Sequence, residues 1–189
     1  MRALAVAVAV TVVGLGGCGV PEDDEPRALA EEDAPIDLAP TTSAVVSGCD
    51  EQSASVELYF LDRAEDPVRL RRVTRCVASA TQEAALRELL RGDPEFDSSI
   101  PPDTVLRGVR LEGGVLDIDL GPAGGGLQSI QGTAQVEACA QLVYTAFAAG
   151  GVAGVRFFVE GEPFPAQTPD GGAATDPVTR ADYDSLRPG

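Results

Sequence analysis

Two carboxylates occupy alternate positions of one predicted strand, Asp117 and Asp119 within 115–120. Side chains two residues apart in a strand project from the same face, and paired carboxyl groups are what glycosidases use for acid and base catalysis. The intervening residues, Leu116 and Ile118, are apolar, so the alternation itself predicts polar residues on the opposite, water-facing side. We interpret the pair as a solvated strand face and retain an acidic reaction centre as the alternative.

The thiol of Cys18 is the second group to which the sequence assigns chemistry. It follows Leu15, Gly16 and Gly17, which come after a positively charged start and an apolar run, the order of a secretory signal with a small-residue cleavage site. The pattern resembles a bacterial lipobox, in which the cysteine accepts a lipid before the signal is removed. Residues 1–17 are therefore predicted to be a lipoprotein signal peptide, since the apolar run is shorter than the roughly 20 residues of a membrane-spanning helix.

Three further cysteines follow, Cys49, Cys76 and Cys139, and in an exported chain disulfides between them can persist. Cys49 precedes the first predicted strand and Cys76 ends the second, so both lie at the open end of a hairpin. Cys139 falls on the apolar side of a helix, where cysteine behaves as a small hydrophobe. The sequence favours a Cys49–Cys76 bridge with Cys139 buried and free, and a Cys76–Cys139 bridge is the alternative.

Composition excludes several function classes. The formal charge is −16, which argues against nucleic acid as a partner because a polyanion is repelled. All 14 basic residues are arginine, and the chain contains neither histidine nor lysine. Ser–His and Cys–His pairs, histidine metal sites and Schiff-base chemistry are therefore excluded. No catalytic residue, metal site or cofactor is predicted.

Arginines form a basic cluster on the first predicted hairpin. Its members are Arg63, Arg69, Arg71, Arg72 and Arg75. The plain interpretation is a charged hairpin surface. The alternative is that Arg69, Arg71, Arg72 and Arg75 contact an acidic partner, such as an anionic polymer, a lipid headgroup or another protein.

Hydrophobic periodicity separates a tether from one folded domain. Residues 18–52 are acidic and proline-rich with few large apolar residues, and are predicted to be a disordered tether. The domain is predicted to span 53–189, with an irregular tail from about residue 163. Strands are predicted at 56–61, 68–77, 104–111, 115–120 and 155–159, and helices at 81–91 and 133–149. This β-β-α-β-β-α-β order favours a small two-layer α+β sandwich, a mostly antiparallel sheet with two helices on one face.

Four short sequence segments occur in this order along the domain, at 100–106, 113–120, 141–145 and 154–162. Together they resemble the GerMN domain of sporulation and spore germination. The predicted start of the mature chain, 18–28, and the tail segment 178–183 are similar to single-domain GerMN lipoproteins of actinobacteria. The connection after the first helix reaches Ile100 sooner than is usual in that family, which alters a loop that could carry partner specificity.

The resemblance implies an extracytoplasmic domain without recognised catalytic residues, whose relatives take part in cell-envelope assemblies. We therefore expect a non-enzymatic, lipid-anchored interaction module at the outer face of the cell membrane, with an envelope protein as its partner. Its expected role is in an envelope or sporulation-type assembly. The alternative is an envelope hydrolase or carbohydrate-binding protein that uses the Asp117/Asp119 face, which would require polar groups converging in a cleft.

Overall fold

The computed structural model describes residues 49, 50 and 53–189. The predicted signal peptide, Cys18 and nearly all of the predicted tether lie outside these residues. The main elements are β1 (Ala54–Asp62), β2 (Arg69–Val77), α1 (Gln82–Arg91), β3 (Val105–Glu112), β4 (Val115–Gly121), α2 (Thr133–Ala148) and β5 (Gly154–Val159). Short strands β6 (Glu162–Phe164), β7 (Ala166–Gln167) and β8 (Ala173–Ala174) follow, and 3₁₀ segments span Gly126–Ser129 and Arg180–Leu186. The predicted α+β fold, with mostly antiparallel strands, is confirmed.

The strands of the described part of the chain form three sheets. β1 and β2 pair along their full length as an antiparallel hairpin, from Ala54 opposite Val77 to Asp62 opposite Arg69. The largest sheet has the order β3-β4-β5-β6, in which β4 and β5 are parallel and the other two pairs are antiparallel. A parallel pair needs a long crossover connection, and α2 provides it. β7 and β8 form a small antiparallel pair.

The tight turn between β3 and β4 depends on glycine. Gly113 and Gly114 have φ angles of 58° and 84°, a backbone region that glycine enters without the steric cost of a side chain. The turn sets the register of the hairpin, which places Arg110 of β3 opposite Asp117 of β4. This register determines the surroundings of the acidic pair.

The two α-helices are buried to different extents. α1 begins after Thr81, whose Oγ1 accepts a hydrogen bond from the Ala84 amide at 3.1 Å, and it buries one apolar side. α2 is buried at every position from Glu137 to Ala146, because it packs against β1, α1, β7 and the C-terminal 3₁₀ segment. Polar side chains on α2 must therefore find hydrogen-bond partners inside the protein.

The tail that was predicted to be irregular from about residue 163 instead completes the core. It contains β6, β7 and β8 and ends in the 3₁₀ segment Arg180–Leu186, which buries Tyr183 completely beside the buried Val178. A capping box formed by Thr179 and Asp182 begins that segment. Apolar residues scattered among proline and glycine produce no periodic pattern, which is why the sequence did not predict this contribution.

Candidate functional site

Asp117 lies within a group of ion pairs on the outer face of the largest sheet, the face opposite Leu116 and Ile118. In the sheet register it stands between Arg110 of β3 and Arg156 of β5. Arg110 Nη2 donates to Asp117 Oδ2 at 3.1 Å, and Arg156 Nε donates to Oδ1 at 2.8 Å. Asp117 is only 6 % exposed. The predicted solvated side chain is wrong at this position, because each neighbouring strand brings a guanidinium over the carboxylate.

Asp119 is more exposed and is held by different donors. The backbone amide of Gly161 donates to its Oδ1 at 3.0 Å, and Arg107 Nε lies 3.5 Å from its Oδ2. Arg107 sits at a β-bulge between Leu106 and Gly108, and bulges re-aim side chains. The Asp119 side chain is 32 % exposed, so it is partly, and not fully, solvated.

The acidic pair lines an open depression together with Gly108 and Phe158. Each of the four carboxylate oxygens has a donor or a guanidinium nitrogen within 3.5 Å. A general acid or base needs an oxygen that can reach a substrate proton at hydrogen-bond distance. The geometry therefore gives Asp117 the role of joining β3, β4 and β5, and leaves Asp119 as the more exposed carboxylate of the pair.

Arg75, one of the arginines predicted to contact a partner, is already engaged within the domain. It forms an ion pair with Asp93, and its guanidinium carbon lies 5.6 Å from the centroid of the Phe96 ring. The pKa of Asp93 is lowered, first by the hydrogen bond from the Glu95 amide and then by Arg75. Arg75 therefore fixes the loop after α1 against the hairpin.

Arg69, Arg71 and Arg72 are more available than Arg75. Arg72 pairs with Glu57 at 3.4 Å, and 63 % of its side chain is exposed. Arg71 lies over the Phe96 ring, 5.3 Å from its centroid. Within the described residues, no carboxylate lies within 4 Å of Arg69 or Arg71. Arg63, the fifth member of the predicted cluster, pairs with Glu137 at 2.9 Å. The structure thus divides the cluster into two engaged arginines, Arg63 and Arg75, and three more accessible ones.

The cysteines form one disulfide and one buried thiol. Cys49 is bonded to Cys76, with Cα atoms 5.5 Å apart, at the open end of the β1–β2 hairpin, while Cys139 is free and buried. The alternative Cys76–Cys139 bridge is not formed. Burial raises the pKa of Cys139 to about 12, so its thiol stays protonated at neutral pH and is a poor nucleophile.

Two polar side chains on α2, which sequence patterns did not single out as structural groups, bind the backbone of β1. Gln141 Nε2 donates to the Tyr59 carbonyl at 3.1 Å, and the Tyr59 amide donates to Thr145 Oγ1 at 3.1 Å. The Gln141 amide oxygen also accepts from the Ser99 amide at 3.0 Å. The signal that could have revealed this role is the spacing of Gln141 and Thr145, one helical turn apart in the half of α2 that follows Glu137 and is otherwise apolar.

Within residues 49, 50 and 53–189, no group of three or more cysteine or acidic side chains could hold a metal ion. In the same residues no helix is both long enough and apolar enough to cross a membrane.

Comparison with protein families gives a match across most of the described domain. The family model described as "Germane: Sporulation and spore germination" matches residues 57–164, more than half of the 189-residue chain. The chain belongs to the GerMN family. The GerMN domain predicted from the sequence is thereby confirmed, and the similarity to actinobacterial lipoproteins stays a prediction. Asp117 and Gln141 lie inside the GerMN match, whereas Tyr183 and the C-terminal 3₁₀ segment lie beyond it.

Two solved GerMN structures share the fold. The tandem GerMN domains of the sporulation protein GerM from Bacillus subtilis match with a TM-score of 0.58 and 19 % identity, covering 73 % of this chain and 50 % of that one. The first GerMN domain of the same protein matches with a TM-score of 0.53 and 19 % identity, covering 68 % and 98 %. The chain thus spans half the length of the tandem structure, and the likeness shows the fold alone. Comparison with curated proteins gives no match.

Proposed function

We propose that this GerMN protein is a non-enzymatic, lipid-anchored interaction module at the outer face of the cell membrane, where it contributes to an envelope or sporulation-type assembly. Membership of the GerMN family supports the sporulation-type context. The lipobox-like residues ending in Cys18 support the anchor. The acidic, proline-rich segment 18–52 would hold the domain away from the membrane, since like charges extend a chain.

The observation that carries the non-enzymatic part of the proposal is the surroundings of Asp117. Arg110 and Arg156 engage both of its carboxylate oxygens. Gln141 and Thr145 are buried as well, and their hydrogen bonds go to backbone groups and, for Gln141, also to the Ser98 hydroxyl. These polar groups serve the fold. The alternative, a hydrolase or carbohydrate-binding protein acting through the Asp117/Asp119 face, would need a carboxylate that is not already engaged.

The proposed partner contact is the surface formed by Arg69, Arg71 and Arg72 of β2. These side chains are less engaged than Arg75, which pairs with Asp93. The rest of the chain is strongly acidic, so a basic hairpin is where an acidic partner meets the least repulsion. Complementary charge steers association and selects partners, which suits an acidic envelope protein.

Crosslinking of the full chain in intact cells tests this contact. The variant Arg71→Glu with Arg72→Glu reverses two hairpin charges, and the matched control, Arg87→Glu with Arg91→Glu, makes the same change on α1 at side chains that are 54 % and 73 % exposed. We expect the hairpin variant to lose captured partner several-fold while the control retains it. Capture should weaken with salt, because exposed charges more than about 10 Å apart are screened at 0.1 M. Equal capture by the two variants would contradict the contact.

The same cells test the anchor and the alternative function. Cys18→Ser should leave the protein unprocessed or release it from the membrane fraction, and a processed, membrane-bound Cys18→Ser protein would argue against lipidation. Asp117→Asn with Asp119→Asn should leave partner capture intact. Loss of cellular activity in that variant, at a temperature where circular dichroism shows it still folded, would favour the hydrolase instead.

A further inference from the structure

A cavity of about 720 Å³ lies between the β1–β2 hairpin and the C-terminal 3₁₀ segment. Five arginines and three acidic side chains line it, together with the last residue, Gly189, so arginines outnumber acidic groups there in a chain whose formal charge is −16. The arginines come from opposite sides, Arg69, Arg71 and Arg72 from β2, and Arg180 and Arg187 from the C-terminal end. The carboxylates belong to Asp62, Glu65 and Asp184.

Arg180 lies against the aromatic wall of this cavity. Its guanidinium carbon is 5.3 Å from the ring centroid of Tyr144, 5.4 Å from Phe147 and 6.0 Å from Tyr59. Arg180 Nη2 donates to the Tyr144 carbonyl at 3.2 Å, while its Nε is buried without a hydrogen-bond partner. Among the described residues, no carboxylate approaches this guanidinium within 4 Å. The faces of the aromatic rings offset part of the positive charge of the Arg180 guanidinium. A bound anion would offset the remaining charge.

Three other arginines of the cavity, Arg69, Arg72 and Arg187, can turn toward a ligand, whereas the Arg71 guanidinium lies over the Phe96 ring. Arg72 and Arg187 are each paired with one exposed carboxylate, Glu57 and Asp184, at 3.4 Å. Exposed pairs of this kind contribute little in water, so a ligand can displace them at low cost. Arg69 has no carboxylate within 4 Å in the described part of the chain. Burial raises the pKa of Tyr144, so the aromatic wall itself stays uncharged at neutral pH.

We propose that this cavity binds a phosphate group, presented by a soluble phosphate ester or by a phospholipid headgroup. A guanidinium offers a planar fork of donors that fits phosphate oxygens, and the arginines that line the cavity provide several such forks. A carboxylate has two oxygens in one plane and would engage fewer of them. This inference goes beyond the proposed function, because binding requires neither the lipid anchor nor an assembly partner.

Tyrosine emission provides a direct readout of this site. The chain has three tyrosines and no tryptophan, and Tyr59 and Tyr144 line the cavity. The full chain in neutral detergent is titrated with inorganic phosphate, glycerol 3-phosphate and acetate at constant ionic strength. We expect a saturable change with both phosphates and a response at least several-fold weaker with acetate. An absent phosphate response, or an equal one with acetate, would overturn the proposal.

Variants separate the cavity from general surface charge. Arg180→Gln should lower the phosphate affinity about tenfold or more, the effect of losing a charged hydrogen-bond donor. Arg69→Gln, on the opposite wall, should lower it several-fold and keeps the test valid if Arg180→Gln folds poorly. The matched control, Arg87→Gln on α1, removes the same charge outside the cavity and should change the affinity less than twofold. Affinity unchanged in Arg69→Gln and in a folded Arg180→Gln protein would overturn the assignment.

Two further arms identify the source of the phosphate. Vesicles of phosphatidylglycerol in phosphatidylcholine are compared with vesicles of phosphatidylcholine alone. A tyrosine response that requires phosphatidylglycerol, and that glycerol 3-phosphate competes away, identifies a phospholipid headgroup. A response to glycerol 3-phosphate with none to either vesicle identifies a soluble phosphate ester. The crosslinking experiment with the Arg71/Arg72 variant measures partner capture, whereas the titrations measure tyrosine emission. Failure of the partner contact can therefore be distinguished from failure of phosphate binding.

Discussion

The carboxylate of Asp117 links three strands of the largest sheet. Its oxygens accept from Arg110 on β3 and Arg156 on β5, at 3.1 and 2.8 Å. The aspartate is buried while the two arginines keep 70 % and 41 % of their side chains exposed. The cations thus remain hydrated over an anion that has lost its water, which lowers the desolvation cost of the group as a whole.

Replacing Asp117 with asparagine is expected to lower the free energy of unfolding by about 1–3 kcal/mol, the range for losing a charged partner at a buried hydrogen bond. The control is Asp184→Asn, because Asp184 and its partner Arg187 are 63 % and 65 % exposed and such pairs contribute about 0–1 kcal/mol. Urea-induced unfolding at neutral pH measures both. Equal losses in the two variants would show that Asp117 is not a structural ion pair.

At the scale of elements, α2 acts as a partner for the open edge of β1. One edge of β1 pairs with β2, and at the other edge the Tyr59 amide and carbonyl bind Thr145 and Gln141 of α2 at 3.1 Å. An unpaired strand edge is a template for pairing with other chains. Side chains of α2 close it at Tyr59, and further along the same edge the Leu61 amide donates to the Asp97 carbonyl at 2.8 Å. Closure at Tyr59 requires polar residues in the middle of a buried helix.

Thr145→Val tests this role of α2, because valine has nearly the shape of threonine but cannot accept the hydrogen bond from the Tyr59 amide. We expect a loss of about 1–3 kcal/mol, the cost of leaving a buried donor without a partner, together with faster hydrogen exchange at Tyr59. Thr133→Val is the matched control, since Thr133 is exposed at the start of the same helix. An unchanged exchange rate at Tyr59 would contradict the closure of the edge by α2.

The long elements were predictable because their apolar residues repeat at helical or strand spacing, and the predicted strands and helices match the observed ones to within about two residues. The position of Asp117 was not predictable. The alternation of polar and apolar residues in β4 correctly placed Asp117 on the face opposite Leu116 and Ile118. Its burial, however, depends on the pairing of β4 with β5, and all of α2 lies between these two strands in the sequence. A single strand pattern contains no information about which cations neighbouring strands bring beside it.

At the scale of the whole molecule, the C-terminal tail packs into the core although most of it lies beyond the GerMN match. The match ends at residue 164, yet Val178 pairs with Val155 of β5 and Tyr183 is fully buried against the rest of the core. The Tyr183 hydroxyl donates to the Gln167 carbonyl at 3.0 Å. The same tail supplies Arg180 and Arg187 to the phosphate cavity, so core closure and cavity formation depend on one segment.

Deleting residues 178–189 is therefore expected to destabilise the whole domain and not merely to shorten it. The loss should equal or exceed that of Tyr183→Ala, for which removal of a large buried aromatic side chain costs about 3–5 kcal/mol. Deletion of 188–189 alone is the control, because it leaves Tyr183 and Val178 in place. Circular dichroism during urea unfolding measures all three variants. A chain ending at residue 177 that unfolded cooperatively at the midpoint of the full chain would show that the tail packs on a core already complete without it.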